Sequence, residues 1–193
     1  SLQAAILNSK YVNAMPLYRI EQEFKRNGIN VKRQVMANWT ILTSERYLSL
    51  LYDRLHEKLL ESDVCQADET TVEVSKDGRS AGAKSYMWVY RTGKMHTSAP
   101  IILYNYQKTR NASHPEKFLK KFKGVLVSDG YQAYHSMDKN SQDITVAGCW
   151  SHSRRRFSNL VKSLGKEKSK GTLAQDALKQ ISAILIASTR RNI

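Results

Sequence analysis

Apolar and polar positions divide the chain into a helical first third and a remainder that mixes strands with helices. Over residues 1–41 the apolar positions recur with helical spacing. Pro16 suits the first turn of a helix whose inner face is Leu17, Ile20 and Phe24, with Gly28 placed to end it. A second helix is predicted to turn Val31, Val35 and Trp39 inward and Lys32, Arg33, Gln34 and Asn38 outward. A third, over 44–61, gathers Leu48, Leu51, Tyr52, Leu55 and Leu59 into one stripe. That stripe suits a packed connector, and equally pairing with a second copy as a homodimer. From Ser62 the period shortens to strand-like, so a domain boundary is expected there, closing a helical segment over 1–61.

The alternation then predicts strands at 64–74, 86–91 and 101–106, joined by a loop at 76–83 and a turn at 92–94 as an antiparallel meander. Ser113 and Glu116 have capping-box spacing with Pro115 in the first turn. The helix they open buries Phe118, Leu119 and Phe122 and leaves Lys117, Lys120, Lys121 and Lys123 wet. Val125, Leu126 and Val127 suit a strand covered on both faces, and it stops at Ser128-Asp129-Gly130-Tyr131. A fifth strand is read at 144–149, a basic helix from near His152 and a last helix from about Thr172 to Ser188. This order is that of a ribonuclease-H-like α/β domain: a mixed five-stranded sheet with helices, here preceded by the helical segment. The core is expected over 62–162, and 163–193 as the start of a helical insertion.

Two acids stand out in that frame. Asp68 shares a strand face with Val64, Thr70, Val72 and Val74, which makes it an acid on an apolar face; Glu69, opposite, is expected to be solvated. Asp129 ends a buried strand, with Gly130 free to turn sharply behind it. Asp-Gly is also a common turn pair, and a plain turn is the bland alternative. Two aspartates on adjacent inner strands suit divalent metal ions, Mg²⁺ or Mn²⁺, that hold the attacking and leaving oxygens of a phosphoryl transfer.

Composition narrows the partner. Lys and Arg number 31 against 17 for Asp and Glu, a net charge of +14, which points to a polyanion and most simply to nucleic acid, or else to a merely basic surface. A helix, a Gly-containing turn and a helix bearing Lys32, Arg33, Gln34 and Asn38 has the layout of a helix-turn-helix; a hairpin that only packs is the alternative. Arg154, Arg155 and Arg156 suit phosphate oxygens, or else form a solvated face. Two cysteines suggest no disulfide framework, and the longest apolar run, Ile181 to Ala187, is too short to span a membrane. Ser1 to Ile6 lacks the features of a signal sequence, so a cytoplasmic protein is expected. The chain begins without Met and stops in mid-pattern, as a fragment would.

Several stretches in order resemble the transposases of bacterial insertion-sequence family 66. They are Met15-Pro16-Leu17-Tyr18-Arg19, Ala37-Asn38-Trp39, Ala67-Asp68-Glu69-Thr70 and Tyr86-Met87-Trp88-Val89-Tyr90. Downstream, Ser128-Asp129-Gly130-Tyr131 and the run from Gly148 through Cys149 and His152 to Phe157 continue the likeness. The resemblance implies a DDE transposase that cuts and joins DNA at element ends with divalent metal, Asp68 and Asp129 matching its first two acids. It also implies a third acid, a Glu in an Asn-Asn-x-x-Glu-Arg stretch after a helical insertion. No such stretch occurs; Glu167 and Asp176 are poorly placed for it, so the triad is expected to be incomplete. Cys149-x-x-His152 supplies two ligands where structural zinc wants about four. The resemblance reads the pair instead as shaping the core near the active site, and a buried Cys with a satisfied His fits as well. A nuclease of the same fold and a non-catalytic DNA-binding fragment remain the competing functions.

Overall fold

Where helices end and strands begin follows local chemistry at a few positions. The computed structural model describes residues 1–74, 78–80, 82–93, 99–140 and 142–190, with the side chains of 138–140, 166 and 188–190 left aside. Positions 76, 77 and 81 of the loop predicted at 76–83, and Lys94 of the following turn, lie outside the described residues. The chain forms two compact units, Ser1–Glu57 and Lys58–Ile193, which divide inside a helix rather than at the predicted boundary after residue 61.

In the first unit, α1 (Leu2–Leu7) is capped by the Ser1 hydroxyl, which accepts from the Ala4 amide at 3.3 Å. After a turn of π-helix at Asn8–Val12 come α2 (Leu17–Arg26) and α3 (Arg33–Thr43). Gly28, at φ +76°, ends α2 as predicted: its amide reaches the Lys25 carbonyl at 3.1 Å and the Ile29 amide reaches Phe24 at 2.8 Å. Those two bonds make a Schellman closure, which needs a residue content at positive φ. Lys32 offers no cap to α3; the Glu21 carboxylate of α2 accepts from the Arg33 amide at 3.2 Å instead.

Ile6, Ile20 and Met36 form the core of this unit, ringed by Leu2, Met15, Leu17, Phe24, Val31 and Trp39. The inner face of α2 is therefore as predicted; Val31 and Trp39 also pack inward as predicted, but Met36 takes the buried place expected of Val35. Met36 is buried, whereas Val35 is 40% exposed. Val31 precedes the helix, so four-residue spacing counted from it runs off the inner face by about 40° per step at 3.6 residues per turn. Nor does the chain break between the second and third predicted helices. It stays right-handed through a π segment at Ser44–Leu48 and on into α4 (Ser49–Leu60). Leu48 and Leu51 of the predicted stripe are exposed, and Leu59 is buried.

In the second unit, β1 (Val64–Glu73), β2 (Lys84–Thr92) and β3 (Ile102–Gln107) form the predicted antiparallel meander. β4 (Gly124–Ser128) then pairs parallel to β1, and β5 (Ile144–Gly148) parallel to β4. The order β3-β2-β1-β4-β5 is a mixed five-stranded sheet, and the fold is ribonuclease-H-like. Four helices accompany it: α5 (Ser113–Phe118), α6 (Gln132–Asn140), α7 (Trp150–Lys168) and α8 (Leu173–Arg190).

Helix α6 is absent from the elements that the sequence predicts. Parallel neighbours need a crossover, and α6 supplies it by burying Ala133, Tyr134 and Met137. α5 begins where predicted but without the capping box: Asn111 Oδ1, not Ser113, takes the free amide, that of Ser113 itself, at 2.9 Å. α7 changes direction at Gly165, whose φ of 78° and ψ of 165° interrupt the helix. Among the described residues no helix is long and apolar enough to cross a membrane.

One face of the sheet carries Cys65, Ala67, Trp88, Tyr90 and Leu126, all buried with Phe118, Leu119, Phe122 and Tyr134. Tyr90 stacks on Phe118 with ring centres 3.9 Å apart, and Tyr134 meets Trp88 edge-on at 6.1 Å. Burial also holds the Cys65 thiol back from ionising, pushing its pKa up to about 12.

The entry to β4 is tight. Gly124 has φ +145°, and a Cβ there would stand 2.4 Å from the Asp63 carbonyl oxygen. That same oxygen accepts from the Val125 amide at 2.9 Å and opens the β1–β4 pairing. Gly124→Ala is predicted to cost at least about 1–3 kcal/mol in urea unfolding, the usual strain at such a backbone position. Gly148→Ala, whose added Cβ meets nothing within 4 Å, is the control and shifts the midpoint far less. Equal midpoints for the two variants would contradict the close approach of β4 to Asp63.

Candidate active site

Because β1 and β4 run parallel, their carboxyl ends open on the same edge of the sheet, where α/β folds gather ligand-binding groups. The register pairs Val64 with Val125, Cys65 with Leu126 and Gln66 with Val127. The pairing stops there: Asp68 follows Gln66 by two residues, as Asp129 follows Val127, and strands paired in this way are spaced by about 4.8 Å. In a parallel pair, residues in register point to the same side. Asp68 therefore shares its side with Gln66 and Val127, away from the aromatic face.

Each acid is held at one oxygen. Asp68 Oδ1 accepts from the Glu69 amide at 2.9 Å, and its side chain is 55% exposed. Asp68 Oδ2 faces His152 Nε2 at 3.5 Å, too long for a strong hydrogen bond but close enough for charge to act. Asp129 lies just past β4, and its Oδ1 accepts from the Tyr131 amide at 2.9 Å. It is thus the turn residue that the bland alternative foresees, two residues past the last β1–β4 pair.

Beside Asp68 opens a cleft of about 320 Å³ whose wall includes Arg91, Val127, Cys149 and His152, though not Asp129. Cys149 sits at the N-cap position of α7, and its amide donates to the Ser128 carbonyl at 2.8 Å. Its own carbonyl accepts from His152 and Ser153, at 3.1 and 3.2 Å. The Cys-x-x-His spacing is therefore the first turn of a helix: Cys149 ties the turn to the end of β4, and His152 reaches toward β1. The other ring nitrogen of His152, Nδ1, is buried with no hydrogen-bond partner among the described residues. Among the described residues no cluster of three or more His, Cys, Asp or Glu suits a metal ion.

Arg154, Arg155 and Arg156 are all exposed on α7. Arg156 reaches the turn after Asp129: its Nη2 lies 3.6 Å from the point a Cβ on Gly130 would occupy. Lys32, Arg33, Gln34 and Asn38 are exposed in the helical unit, with Lys32 before α3 rather than on it. Glu167 and Asp176 are exposed and hold lysines in their own helical turns, Lys170 at 2.9 Å and Lys179 at 3.4 Å.

Glu69 overturns its prediction. Its side chain is 3% exposed, not solvated. Arg110 Nε donates to its Oε1 at 2.8 Å, Arg110 Nη2 donates to the same oxygen, and the Tyr134 hydroxyl donates to its Oε2 at 2.9 Å. Strand alternation places Glu69 and Asp68 on opposite faces correctly but takes the wrong face as covered. Its neighbour across β2 holds the signal: Glu69 pairs with Trp88, a side chain large enough to demand burial. Burial, and then the charge of Glu69, push the Tyr134 hydroxyl far above its ordinary range. For Arg110, partial burial works against the charge, and the hydrogen bond and charge of Glu69 outweigh it, so its pKa is raised.

The family profile described as Transposase IS66 family matches residues 1–191. The chain belongs to the IS66 transposase family. Among curated proteins, this IS66 chain is 35% identical over 168 residues to the uncharacterized protein y4qI of Sinorhizobium fredii, covering 82% of the chain and 31% of that protein. It is 31% identical over 173 residues to y4jD of the same organism, covering 86% and 34%, and 26% identical over 200 residues to y4hP, covering 99% and 34%. The IS66 chain thus spans about a third of the length of the curated relatives it matches. Its family match takes in both the helical unit and the sheet that carries Asp68 and Asp129.

Proposed function

We propose that this chain carries two of the three acids of a DDE transposase, Asp68 and Asp129, for metal-dependent cleavage and joining of double-stranded DNA at element ends. The observation that supports it most is the parallel β1–β4 pairing, whose last pair, Gln66 with Val127, stands two residues before each acid. Both offer hard oxygen donors, and Mg²⁺ is usually held by one or two carboxylates together with substrate phosphate oxygens, so the pair fits Mg²⁺ or Mn²⁺. Such ions, when bound, neutralise charge on the scissile phosphate and activate a water or a 3′-hydroxyl. His152 orients the Asp68 carboxylate from the cleft side, and Cys149 anchors the turn that carries His152.

The remaining parts follow the same reading. Arg154, Arg155 and Arg156 grip DNA phosphates beside the acids, while Lys32, Arg33, Gln34 and Asn38 contact the duplex from the helical unit. The α2–α3 connection, Asn27–Lys32, is longer than the roughly three- to four-residue turn of a helix-turn-helix, so these side chains act as a variant of that motif. The exposed leucines before Leu59 suit a homodimer contact. α8 opens a helical insertion, and neither Glu167 nor Asp176, each holding a lysine, serves as the third acid. This stretch by itself therefore binds element DNA in the bacterial cytoplasm without joining it. That second reading, a non-catalytic DNA-binding piece, is favoured by the lysine pairing of Glu167 and Asp176.

Two measurements test this. Titration with Mn²⁺ followed by electron paramagnetic resonance is predicted to show an ion whose affinity falls about tenfold or more, as when a metal partner is removed, in Asp68→Asn and in Asp129→Asn. Binding indifferent to both substitutions would remove the metal site. Replacing Arg154, Arg155 and Arg156 with Gln is predicted to flatten the salt dependence of DNA binding, by a slope of about 0.9 for each phosphate no longer neutralised. An unchanged slope would make the three a merely solvated face.

A further inference from the structure

Asp68 and Glu69 are neighbours on β1 that point to opposite faces of the sheet, and the second is tied to the turn that carries Asp129. Glu69, nearly inaccessible to solvent, takes Arg110 on one oxygen and the Tyr134 hydroxyl on the other. The path continues beyond Arg110. Its guanidinium lies 3.9 Å from the centre of the Tyr131 ring, and the Tyr131 hydroxyl donates back to the Arg110 carbonyl at 2.5 Å. The Tyr131 amide in turn donates to Asp129 Oδ1. Asp68 closes the path at its other end, because its Oδ1 accepts the amide of Glu69.

We propose that Glu69 and Arg110 are positioning residues: through Tyr131 they hold the Asp129 turn in register with Asp68, so that both carboxylates meet one metal-bound phosphate. This rests on the proposed function of the two aspartates. Neither Glu69 nor Arg110 touches the reacting atoms in this role. The geometry favours positioning over a plain surface ion pair for two reasons. An exposed pair is free to rearrange, whereas the Glu69 carboxylate is enclosed and satisfied on both oxygens. Arg110 also makes two kinds of interaction that an ammonium cannot reproduce together, the fork to the carboxylate and the stack on the ring.

The test uses the whole chain with Glu69→Gln, Arg110→Ala and Arg110→Lys, and Tyr131→Phe as the mildest variant should the others unfold. Hydrogen exchange is read at the Gly130 and Tyr131 amides, and Mn²⁺ affinity by paramagnetic resonance. The expected result is exchange at the turn faster by about tenfold, and Mn²⁺ affinity lower by about tenfold, the range for removal of an outer-shell partner. Exchange in β5 stays as in the parent chain. Arg110→Lys restores neither readout, because charge without the fork does not hold the turn. Turn exchange unchanged in every folded variant overturns the proposal whatever the metal does. Faster exchange with Mn²⁺ affinity unchanged, while Asp68→Asn and Asp129→Asn still weaken it, also overturns it. If Mn²⁺ binding ignores both aspartates, the metal reading fails instead, and the exchange data alone decide whether the circuit fixes the turn.

Discussion

The parallel pairing of β1 with β4 is the constraint on which the site depends. Without it Asp68 and Asp129 are two unrelated acids far apart in the chain. With it, each lies two residues beyond the last β1–β4 pair. The pairing opens at the Asp63 carbonyl, which takes the Val125 amide and leaves no room for a side chain on Gly124. A one-residue slip would turn Asp129 to the aromatic face and break the match. Register here is pinned by burial, since Cys65 and Leu126, directly opposed, are both fully inside.

The two faces of the sheet divide the work. One packs Trp88, Tyr90, Phe118 and Tyr134, and loss of such a ring costs about 3–5 kcal/mol, so this face supplies much of the rigidity. The other carries the cleft with Asp68, Arg91 and His152. Glu69 is the exception that joins them, a carboxylate on the aromatic side paired with an arginine that reaches the surface. Its pairing adds little net stability, since one partner remains 41% exposed and is screened by water. Its value lies in geometry. Removing the arginine would leave a buried carboxylate without its cation, so the pairing is kept and the turn with it.

Much of this is legible in the sequence because the signals are local. The meander, the β4 strand, the burial of Phe118, Leu119 and Phe122 and the helix end at Gly28 each follow from a few adjacent residues. Other features need tertiary knowledge. Helix α6 is hidden because its apolar positions are few and its role is dictated by the parallel β5. Val35 masks Met36 as the inward residue because α3 starts at Arg33, after Val31, where Glu21 from another helix takes the first amide. The covered face of β1 is easily mistaken because Val72 and Val74 sit beyond the part that α5 and α6 pack against. Asp68 and Asp129 still stand out, since parity along a strand survives that error. Arg110 and Tyr131 are beyond reach: nothing in a loop arginine or a turn tyrosine announces a partner on another strand.

Convergence of the two aspartates is tested most directly by a cross-link. In a chain with Cys65→Ala and Cys149→Ser, the pair Asp68→Cys and Asp129→Cys should close a disulfide under mild oxidation. Such a bond requires α-carbons within roughly 4.4–6.8 Å, the separation that convergence of the two acids demands. Quantitative closure, seen as loss of free thiol in the folded monomer, is the predicted result. Two thiols that stay free under the same conditions would place the acids apart, and a shared metal site would no longer be tenable.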